Sequence, residues 1–527
     1  MTTISSEKSS VSGPDDTNPQ AMNTSSDKLQ PSRSRLSFLT AKLFLSIVAS
    51  AMGSFMFGYG SGVINSPQGL VKDFINATVL DRNGEPSKLS HLNNYWSLIV
   101  AIFAVGGMIG GLSGGVWADF FGRKRGIMLN CPIGVLGSVL IVLSKTCKSF
   151  EMIIIGRLVL GVNCGLTTVL TPMYLSEIAP ANIRGALGVV HQLSITLGVL
   201  ISQVLGFPEL MGTESSWPIL LGLTFIPAAI QLPLLIFCPE SPRFLLISRN
   251  EETRSREVLM ELRGNFDVEL DIEDMKHEQR MCESEPKISI WELMFKSELR
   301  RPLVIGMVMQ LSQQCSGILA VLYYSHSLFT MTGMSDNTAN HADSSIGAVL
   351  VVMTFISIPL MESTGRRALH LIGLMGMFIL SIFLNISLVL SDTYDAMQVV
   401  SIVIVILFVG FFSIGPGSIP WLIVAELFSQ GARSSAMSVC VMINWLSNFL
   451  NAFTFPYVEK GLKHLSFLPF TILLLLFWIF TYMFLPETKD KTFQQISEIF
   501  SQKTLSSQSK SNGVAKENSH LVGFRNM

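Results

Sequence analysis

Long apolar runs alternate with short polar segments along most of this chain. A helix of about 20 apolar residues crosses a bilayer core of about 30 Å. The alternating segments of about ten residues that are typical of a membrane β-barrel are not found. The pattern therefore predicts an all-α polytopic membrane protein with twelve transmembrane helices. The apolar runs are 41–66, 95–118, 126–144, 151–175, 187–206, 217–238, 302–330, 344–361, 368–390, 397–425, 435–456 and 464–485.

Polar tails precede and follow these runs, at residues 1–40 and 486–527. The first tail lacks the apolar core of a cleaved signal peptide. An even number of helices places both tails on one side, and Lys and Arg are denser in the loops of that side. We therefore expect both termini in the cytosol. The same topology puts the sequon Asn76-Ala77-Thr78 outside, so Asn76 is the expected glycosylation site.

Three charged signatures at helix ends occur twice, in the same order. The second copy of each follows the first by about 247 residues. This spacing indicates two tandem six-helix halves, 41–238 and 302–485. The charged segment 239–301 joins them, and we expect it to form short helices under the membrane. The pairs are DFFGRKR (119–125) with ESTGRR (362–367), EIAPANIRG (177–185) with ELFSQGARS (426–434), and PESPR (239–243) with PETKD (486–490).

Two parallel six-helix halves, related by an axis along the membrane normal, are the arrangement of the major facilitator superfamily. All three repeated signatures fall on the predicted cytosolic side. We expect their charges to form ion pairs between the halves, which close this side and break when it opens. The alternative is plain anchoring of the helix ends. The charged residues are Asp119, Arg123, Glu177, Arg184, Glu362, Arg366, Arg367, Glu426 and Arg433.

Composition narrows the class of protein further. Only 14% of residues are charged, against roughly 25% in soluble domains, and the net charge of -1 gives no reason to expect a nucleic-acid partner. The seven cysteines form no zinc-type spacing and read as small buried hydrophobes. The glycine-rich run 106–115 lies within an apolar helix, which indicates close helix packing rather than a phosphate loop. We expect no enzyme activity, metal site or cofactor.

Several motifs together carry a resemblance to a known family. They are DFFGRKR, GRLVLG (156–161), PESPR, QLSQQ (310–314), GPGSIPW (415–421) and PETKD. In combination they resemble the sugar porter family of the major facilitator superfamily, and most of all its animal facilitative glucose transporters. The likeness extends over roughly residues 41–500. It implies a plasma-membrane carrier that moves a hexose, with glucose as the first candidate, by alternating access.

Side-chain amides within the apolar runs suit such a substrate. Each sugar hydroxyl both donates and accepts, as an amide does, and a flat aromatic ring can cover the C–H face of the sugar. Hydrogen bonding between helices is the alternative role for these amides. The resemblance implies that the sugar contacts are Gln192, Gln313, Gln314, Trp421, Trp445 and Asn448. The triplet Gln310, Leu311 and Ser312 resembles glucose-type rather than fructose-type members.

Helix-breaking residues interrupt the seventh and tenth runs. Gly317 precedes a pair of tyrosines, and glycines and prolines crowd the region after Ser413. Discontinuous helices at a repeat interface indicate a transporter binding site, and a kinked half-helix can move as a gate. A purely structural kink is the alternative. The predicted gate residues are Tyr323, Tyr324, Gly415, Pro416, Gly417 and Pro420.

The acids that border the apolar runs all lie at predicted helix ends, whereas a proton symporter keeps an ionisable group inside the membrane. Gly60 also stands where proton-coupled members of the family carry Asp, after FGY. His191 and His326 are expected to be packing residues. We therefore predict a uniporter with no obligatory protein partner. A transporter-like sugar sensor, or a carrier of fructose or another polyol, remains an alternative.

Three positions depart from the family pattern. Leu319 and Leu350 stand where the family usually has Asn, and Ser413 stands where it usually has Glu. Two amides and one acid that would hold hydroxyl groups are thus replaced. This predicts weak affinity for glucose, or a substrate with fewer polar groups on the Leu319 side.

Overall fold

The computed structural model describes residues 40–86, 89–180, 183–284, 288–331, 333, 335–391, 393–489 and 495–496. All regular secondary structure within these residues is helical. Ten helices there are long and apolar enough to cross a membrane, and Val189–Leu205 and Leu468–Phe484 are two shorter apolar helices. The described residues therefore supply the twelve membrane segments that the hydropathy pattern predicts.

The first half contains six membrane segments and one additional helix. The additional helix, α2, occupies the segment that the sequence predicted to be a loop, and it includes Asn76. Asn76 is half-buried, and the hydroxyl of Thr78 is buried and donates to the Phe74 carbonyl at 2.8 Å. The helices are α1 (Ala41–Gly62), α2 (Gln68–Asn83), α3 (Leu89–Phe121), α4 (Arg123–Leu143), α5 (Glu151–Ile178), α6 (Arg184–Leu205), α7 (Trp217–Gly222) and α8 (Phe225–Phe237).

Three α-helices and a short π-helix (Phe244–Ser248) lie in the segment between the halves, and the α-helices are α9 (Glu252–Arg263), α10 (Glu269–Ser284) and α11 (Ile290–Phe295). Thr40, at the start of α1, donates its hydroxyl to the Leu262 carbonyl at 2.9 Å. Ser435, in the second half, donates to the Ile288 carbonyl at 2.7 Å. These helices therefore lie at the end of the molecule where α1 begins. We call it the linker end, and the opposite end the far end.

The second half repeats the six-segment plan. Its helices are α12 (Ser297–Gln314), α13 (Ile318–Met331), α14 (Asp336–Thr364), α15 (Arg366–Leu390), α16 (Ala396–Ile414), α17 (Ile419–Leu427), α18 (Gln430–Leu462) and α19 (Leu468–Phe484). The seventh segment is α12 with α13, and the tenth is α16 with α17. Both are interrupted where the sequence predicted, at Gly317 with its φ of 96° and at Gly415–Ser418.

A third interruption, between α7 and α8, was not predicted. Leu223 and Thr224 lie outside the helical ladder there. Proline has no backbone N–H, so Pro227 cannot bond to the carbonyl of Leu223 four residues earlier. The Ile226 N–H bonds to that carbonyl instead, at 3.1 Å. A single proline thus divides the sixth segment into two short helices.

Glycines allow unusually close helix crossings in the first half. A Cβ atom on Gly58 of α1 would lie 1.9 Å from the Ile195 carbonyl oxygen of α6. A Cβ on Gly106 of α3 would lie 2.1 Å from the Leu158 carbonyl oxygen of α5. Helices in membranes associate largely through such close packing of small residues. The glycine-rich run is therefore a packing surface, as predicted.

We expect Gly58→Ala to destabilise the protein, because its new methyl group has no space at the α1–α6 crossing. Overpacking of this kind costs about 1–3 kcal/mol. Gly115→Ala is the matched control, since no atom lies within 4 Å of its Cβ position. Thermal unfolding of both variants in detergent is the measurement. Equal unfolding temperatures for the two variants would contradict the proposed packing.

Candidate functional site

Side-chain amides of α12 and α18 form a hydrogen-bonded cluster inside the second half. Asn444 donates to Gln310 Oε1 at 2.8 Å and to Gln313 Oε1 at 2.7 Å. Gln314 donates in turn to Asn444 Oδ1 at 2.8 Å. We call Gln310, Gln313, Gln314 and Asn444 the amide cluster. It consists of neutral groups that both donate and accept, which is the chemistry that hydroxyl-rich ligands require.

The broken tenth segment is tied to this cluster. Pro420 has no N–H, so it leaves the carbonyl of Pro416, four residues earlier, without its helical donor. Gln313 Nε2 donates to that carbonyl at 3.0 Å and to the Gly417 carbonyl at 2.6 Å. One amide thus satisfies two carbonyl groups at the break. The break and the cluster form a single unit.

Trp445 extends from α18 into the first half. Its ring lies 5.5 Å from that of Phe57 and 6.1 Å from that of Phe103, measured between centroids. A Cβ on Gly107 of α3 would come within 2.4 Å of the indole. The indole is buried, and its Nε1 has no hydrogen-bond partner among the described residues. Trp445 is thus a flat ring at the boundary between the halves.

Two other polar atoms of this region are buried without a hydrogen-bond partner in the described part of the chain. They are Gln310 Nε2, a donor, and Gln314 Oε1, an acceptor. A buried polar group without a partner costs about 1–3 kcal/mol. These two atoms and the indole N–H of Trp445 are therefore free to form hydrogen bonds that the described side chains do not supply.

The two predicted gate tyrosines connect α13 with α18. Tyr323 donates its hydroxyl to Asn448 Oδ1 at 3.4 Å, and Tyr324 donates to the Ala452 carbonyl at 2.7 Å. Tyr324 has non-helical dihedral angles, with φ of -137° and ψ of 15°. The chain is therefore kinked at the pair of tyrosines, beyond the break at Gly317.

The other predicted contact residues lie apart from the cluster or at its edge. Gln192 and Trp421 are half-buried on α6 and α17, and none of the described hydrogen bonds joins Gln192 to the amide cluster. Within the predicted selectivity triplet, Gln310 is the member of the amide cluster. Ser312 donates to the Met309 carbonyl and lies 3.2 Å from His370 Nε2 of α15. Leu311, the middle residue of the triplet, is half-buried.

The three departures from the family pattern are buried. Leu319 and Leu350 are 6% and 4% exposed and belong to one large apolar core. Ser413 donates its hydroxyl to the Val409 carbonyl of its own helix at 3.0 Å. These positions therefore present apolar groups and one hydroxyl whose donor is already used.

Arg157 is an intramembrane cation that lies next to Gly60. Its Nη1 donates to the Gly60 carbonyl at 2.6 Å, and its guanidinium lies over the Phe103 ring at 4.4 Å. Gly60 is the position at which proton-coupled family members carry Asp. The guanidinium is fully buried, and its Nη2 has no hydrogen-bond partner in the described part of the chain. In this chain a buried cation therefore faces a backbone carbonyl.

At the linker end, the repeated signatures of the first half converge on one cluster. Glu240 accepts from the backbone N–H groups of Arg123 and Lys124 at 3.0 and 2.9 Å, so it caps the N-terminus of α4. Arg123 also pairs with Glu177 at 2.9 Å. Gly122 precedes α4 with a φ of 89°. Carboxylates are favourable at a helix N-terminus, where backbone N–H groups are unpaired.

The second half builds the same cluster from the second copies. Glu487 accepts from the N–H groups of Arg366 and Arg367 at 2.9 and 3.1 Å, at the N-terminus of α15. Arg366 pairs with Glu426 at 3.3 Å, and Gly365 has a φ of 96°. The sequence repeat is thus a structural repeat at the level of single hydrogen bonds.

The ion pairs described at this end do not join the halves, and pairs between the halves stay a prediction for a state in which this end is closed. The pairs Arg123–Glu177 and Arg366–Glu426 each lie within one half. Asp119 is exposed and lies 4.0 Å from Arg123. Arg433 donates to the Phe428 carbonyl and Arg367 to the Tyr482 carbonyl, also within the second half. The side chains of Arg184 and Glu362 lie outside the described residues.

At the far end, by contrast, side chains join the two halves directly. Asn65 Nδ2 donates to Ser325 Oγ at 2.7 Å, and Tyr457 donates to Asn94 Oδ1 at 2.9 Å. Gln203 Nε2 donates to Asp343 Oδ1 at 3.2 Å. These three hydrogen bonds between the halves all lie at this end. The structure is therefore a state in which the far end is closed.

The sequence missed Asp343 as a buried acid. The apolar run was placed at 344–361, whereas α14 begins at Asp336 and Asp343 is only 2% exposed within it. The prediction that all acids lie at helix ends is therefore wrong for this residue. Polar residues precede Asp343 along the chain, so the hydropathy pattern gave no sign that it is buried. Its carboxyl group is enclosed only because α14 packs against α6.

These features define a polytopic membrane transporter with the major facilitator fold. The xylose transporter XylE from E. coli, in a partially occluded inward-open conformation, matches with a TM-score of 0.73 and 25% sequence identity, over 86% of this chain and 100% of that chain. XylE bound to 6-bromo-6-deoxy-D-glucose gives the same TM-score at 24% identity, over 87% and 99% of the two chains.

The family model described as "Sugar (and other) transporter" matches residues 45–500, and the chain belongs to this family. Facilitated glucose transporter member 1 of solute carrier family 2 from Gallus gallus is 47% identical over 88% of this chain and 94% of its own length. Member 3 from Bos taurus is 45% identical, over 88% and 94%. The chain is thus a sugar transporter and not an enzyme, as predicted.

We expect Arg123→Glu to slow sugar turnover roughly fivefold or more while sugar binding stays close to wild type. Arg123 holds Glu177 at an end of the molecule far from the amide cluster, so its loss changes the equilibrium between conformations, and such coupling is typically worth 1–3 kcal/mol. Glu426→Arg should behave alike. Arg125→Glu is the control, because Arg125 is exposed. Turnover and binding are compared in reconstituted vesicles.

The exchange Arg123→Glu with Glu177→Arg should recover part of the turnover, because it restores the pair with reversed signs. Normal turnover in both Arg123→Glu and Glu426→Arg would favour simple anchoring of the helix ends.

Proposed function

We propose that this protein is a facilitative hexose uniporter of the plasma membrane, with glucose as the first candidate substrate. The observation that carries the proposal is the neutral amide cluster, held against a broken helix and beside an indole at the boundary between the halves. Neutral amides and a flat ring match a neutral, hydroxyl-rich ring. The relatives named above are facilitated glucose transporters.

The proposed contact groups are the amides of Gln192, Gln313, Gln314 and Asn448 with the rings of Trp421 and Trp445. The unpaired Gln314 Oε1 and Trp445 Nε1 support this assignment, because sugar hydroxyls would supply the missing partners. Gln310, through Asn444, would set the orientation of the cluster rather than touch the sugar.

Alternating access is the proposed mechanism. Direct hydrogen bonds close the far end, while each described ion pair of the linker end stays within its own half. Closure of the linker end would bring the charged clusters of the two halves together, and opening of the far end would release Asn65 from Ser325. The kinked α13, with Tyr323 and Tyr324, would form the gate over the site.

We place the linker end and both termini in the cytosol, since Lys and Arg are concentrated there. The far end then faces outward, with Asn76 on that side as the glycosylation site. The site supports uniport, because Gly60 offers Arg157 only a carbonyl oxygen where a coupled carrier has an acid.

Purified protein in vesicles should equilibrate labelled glucose without accumulating it, and a protonophore should not change the final level. Gln314→Leu should lower glucose transport about tenfold or more, since one lost hydrogen bond to a sugar costs about 1–3 kcal/mol. Gln398→Leu is the matched control, because Gln398 lies at the start of α16, away from the cluster. A panel of labelled hexoses and polyols identifies the substrate.

Accumulation above equilibrium that a protonophore abolishes would contradict uniport. Binding of sugar without measurable transport would favour the sensor alternative.

Leu319→Asn with Leu350→Asn should tighten glucose binding by one to several decades, because each amide supplies a partner worth about 1–3 kcal/mol. Deoxy-glucose analogues should then discriminate more strongly in the double variant than in wild type. The control is Leu143→Asn with Leu390→Asn, at exposed helix ends. Tight glucose binding by wild type that the double variant weakens would show that other groups hold these hydroxyls.

A further inference from the structure

A carboxyl group lies within the far-end closure, surrounded by side chains of both halves. Asp343 of α14 meets Ser325 of α13, Gln203 of α6 and Asn65, which follows α1. All four side chains are buried, at 0–2% exposure. We call these residues the Asp343 cluster. Its four members come from four different elements, two in each half, so opening the far end must take it apart.

The hydrogen bonds of the cluster run toward the carboxyl group. Asn65 Nδ2 donates to Ser325 Oγ at 2.7 Å, and the Ser325 hydroxyl donates to Asp343 Oδ1. Gln203 Nε2 donates to the same oxygen at 3.2 Å. Every described partner of Asp343 is therefore a neutral group.

No cation among the described residues compensates the carboxyl group. The α1 side of the cluster presents Asn65, α6 presents Gln203, and α13 presents Ser325. His341 of α14 is exposed, and its ring lies 4.9 Å from that of Phe207. The side chain of His326, next to Ser325, lies outside the described residues. A buried carboxylate without a counter-ion is costly, so the enclosed cluster favours the neutral acid.

The balance of donors and acceptors gives a second, independent argument. Gln203 Oε1 and Asn65 Oδ1 are buried and have no hydrogen-bond partner among the described residues. Gln203 Oε1 lies against α14 at Gly347, where a Cβ atom would come within 2.3 Å. An amide presents either a donor or an acceptor after a half-turn of its plane. A proton on Asp343 would add one donor to the cluster, which one of these two oxygens can accept once its amide has turned.

We propose that Asp343 is a proton-binding site that couples closure of the far end to pH. The carboxylate takes one proton from the solution at the far end when the cluster closes. It returns that proton to the same solution when the cluster opens. The proton enters and leaves on one side, so it is not carried across the membrane.

This inference rests on the proposed uniport and orientation, in which the far end faces outward. External acidification would then favour the closed far end without driving accumulation of sugar. Because one proton is bound on closing, the closing equilibrium changes at most tenfold per pH unit within the range where Asp343 titrates.

The equilibrium between the closed and open far end can be measured by the rate at which a reagent labels a thiol placed between the halves. Leu200 of α6 lies against Gly347 in the closed state. Leu200→Cys, in a Cys147→Ser background, should react with a membrane-impermeant thiol reagent only when the far end opens. Wild-type Cys147 is exposed, so its own rate corrects for the pH dependence of thiol reactivity.

The corrected labelling rate should fall with external acidification by up to about tenfold per pH unit. Asp343→Asn should abolish this dependence and keep labelling slow, since the amide imitates the neutral acid. Asp343→Glu should retain the dependence with a shifted midpoint, which also controls for misfolding. Glu209→Gln is the matched control, an exposed acid beyond α6 at the same end.

A pH-independent labelling rate in wild type, or an unchanged dependence in Asp343→Asn, would overturn the proposal. So would sugar accumulation driven by a pH gradient and lost in Asp343→Asn, because that requires net proton movement. Dependence on internal pH alone would contradict the orientation, and therefore the external site. A protein that labels as expected but moves no hexose would retain the proton site and refute the proposed function.

Discussion

Backbone polar groups inside a bilayer must find partners within the protein, because lipid offers none. This constraint organises the centre of the molecule. Pro420 leaves the Pro416 carbonyl without a helical donor, and Gln313 supplies one. Gln313 is held in turn by Asn444, and Asn444 by Gln310 and Gln314. The amides that satisfy the free carbonyl groups of the broken helix thus belong to the same cluster that can bind hydroxyl groups.

Hydrogen bonds and ion pairs within each half also make each half a candidate rigid unit. In each half a glutamate from beyond the sixth segment caps the helix that follows a left-handed glycine, and an arginine on that helix pairs with a second glutamate. The described ion pairs of these clusters do not cross from one half to the other. The hydrogen bonds described between the halves lie at the far end, where they can separate without breaking either cluster.

Two features distinguish this chain: the leucines Leu319 and Leu350 in the core, and the buried acid Asp343. Leu319 and Leu350 place apolar surface in the central core, where fewer hydroxyls can be held. Asp343 places an ionisable group in the contact between the halves, where burial makes its protonation state part of the conformational equilibrium. We propose that the first feature affects which sugar is bound and that the second affects when the far end opens.

The sequence by itself determined the number of membrane segments, the internal repeat, the breaks at Gly317 and Gly415, and the family, because each depends on local composition or spacing. It did not predict the break before Pro227, the helix α2 or the burial of Asp343. The pairing of linker-end charges within each half was also not predicted. Only the tertiary structure decides these points, because burial and pairing depend on which helix faces which, and a side chain at a polar helix end is enclosed only when another helix packs over it.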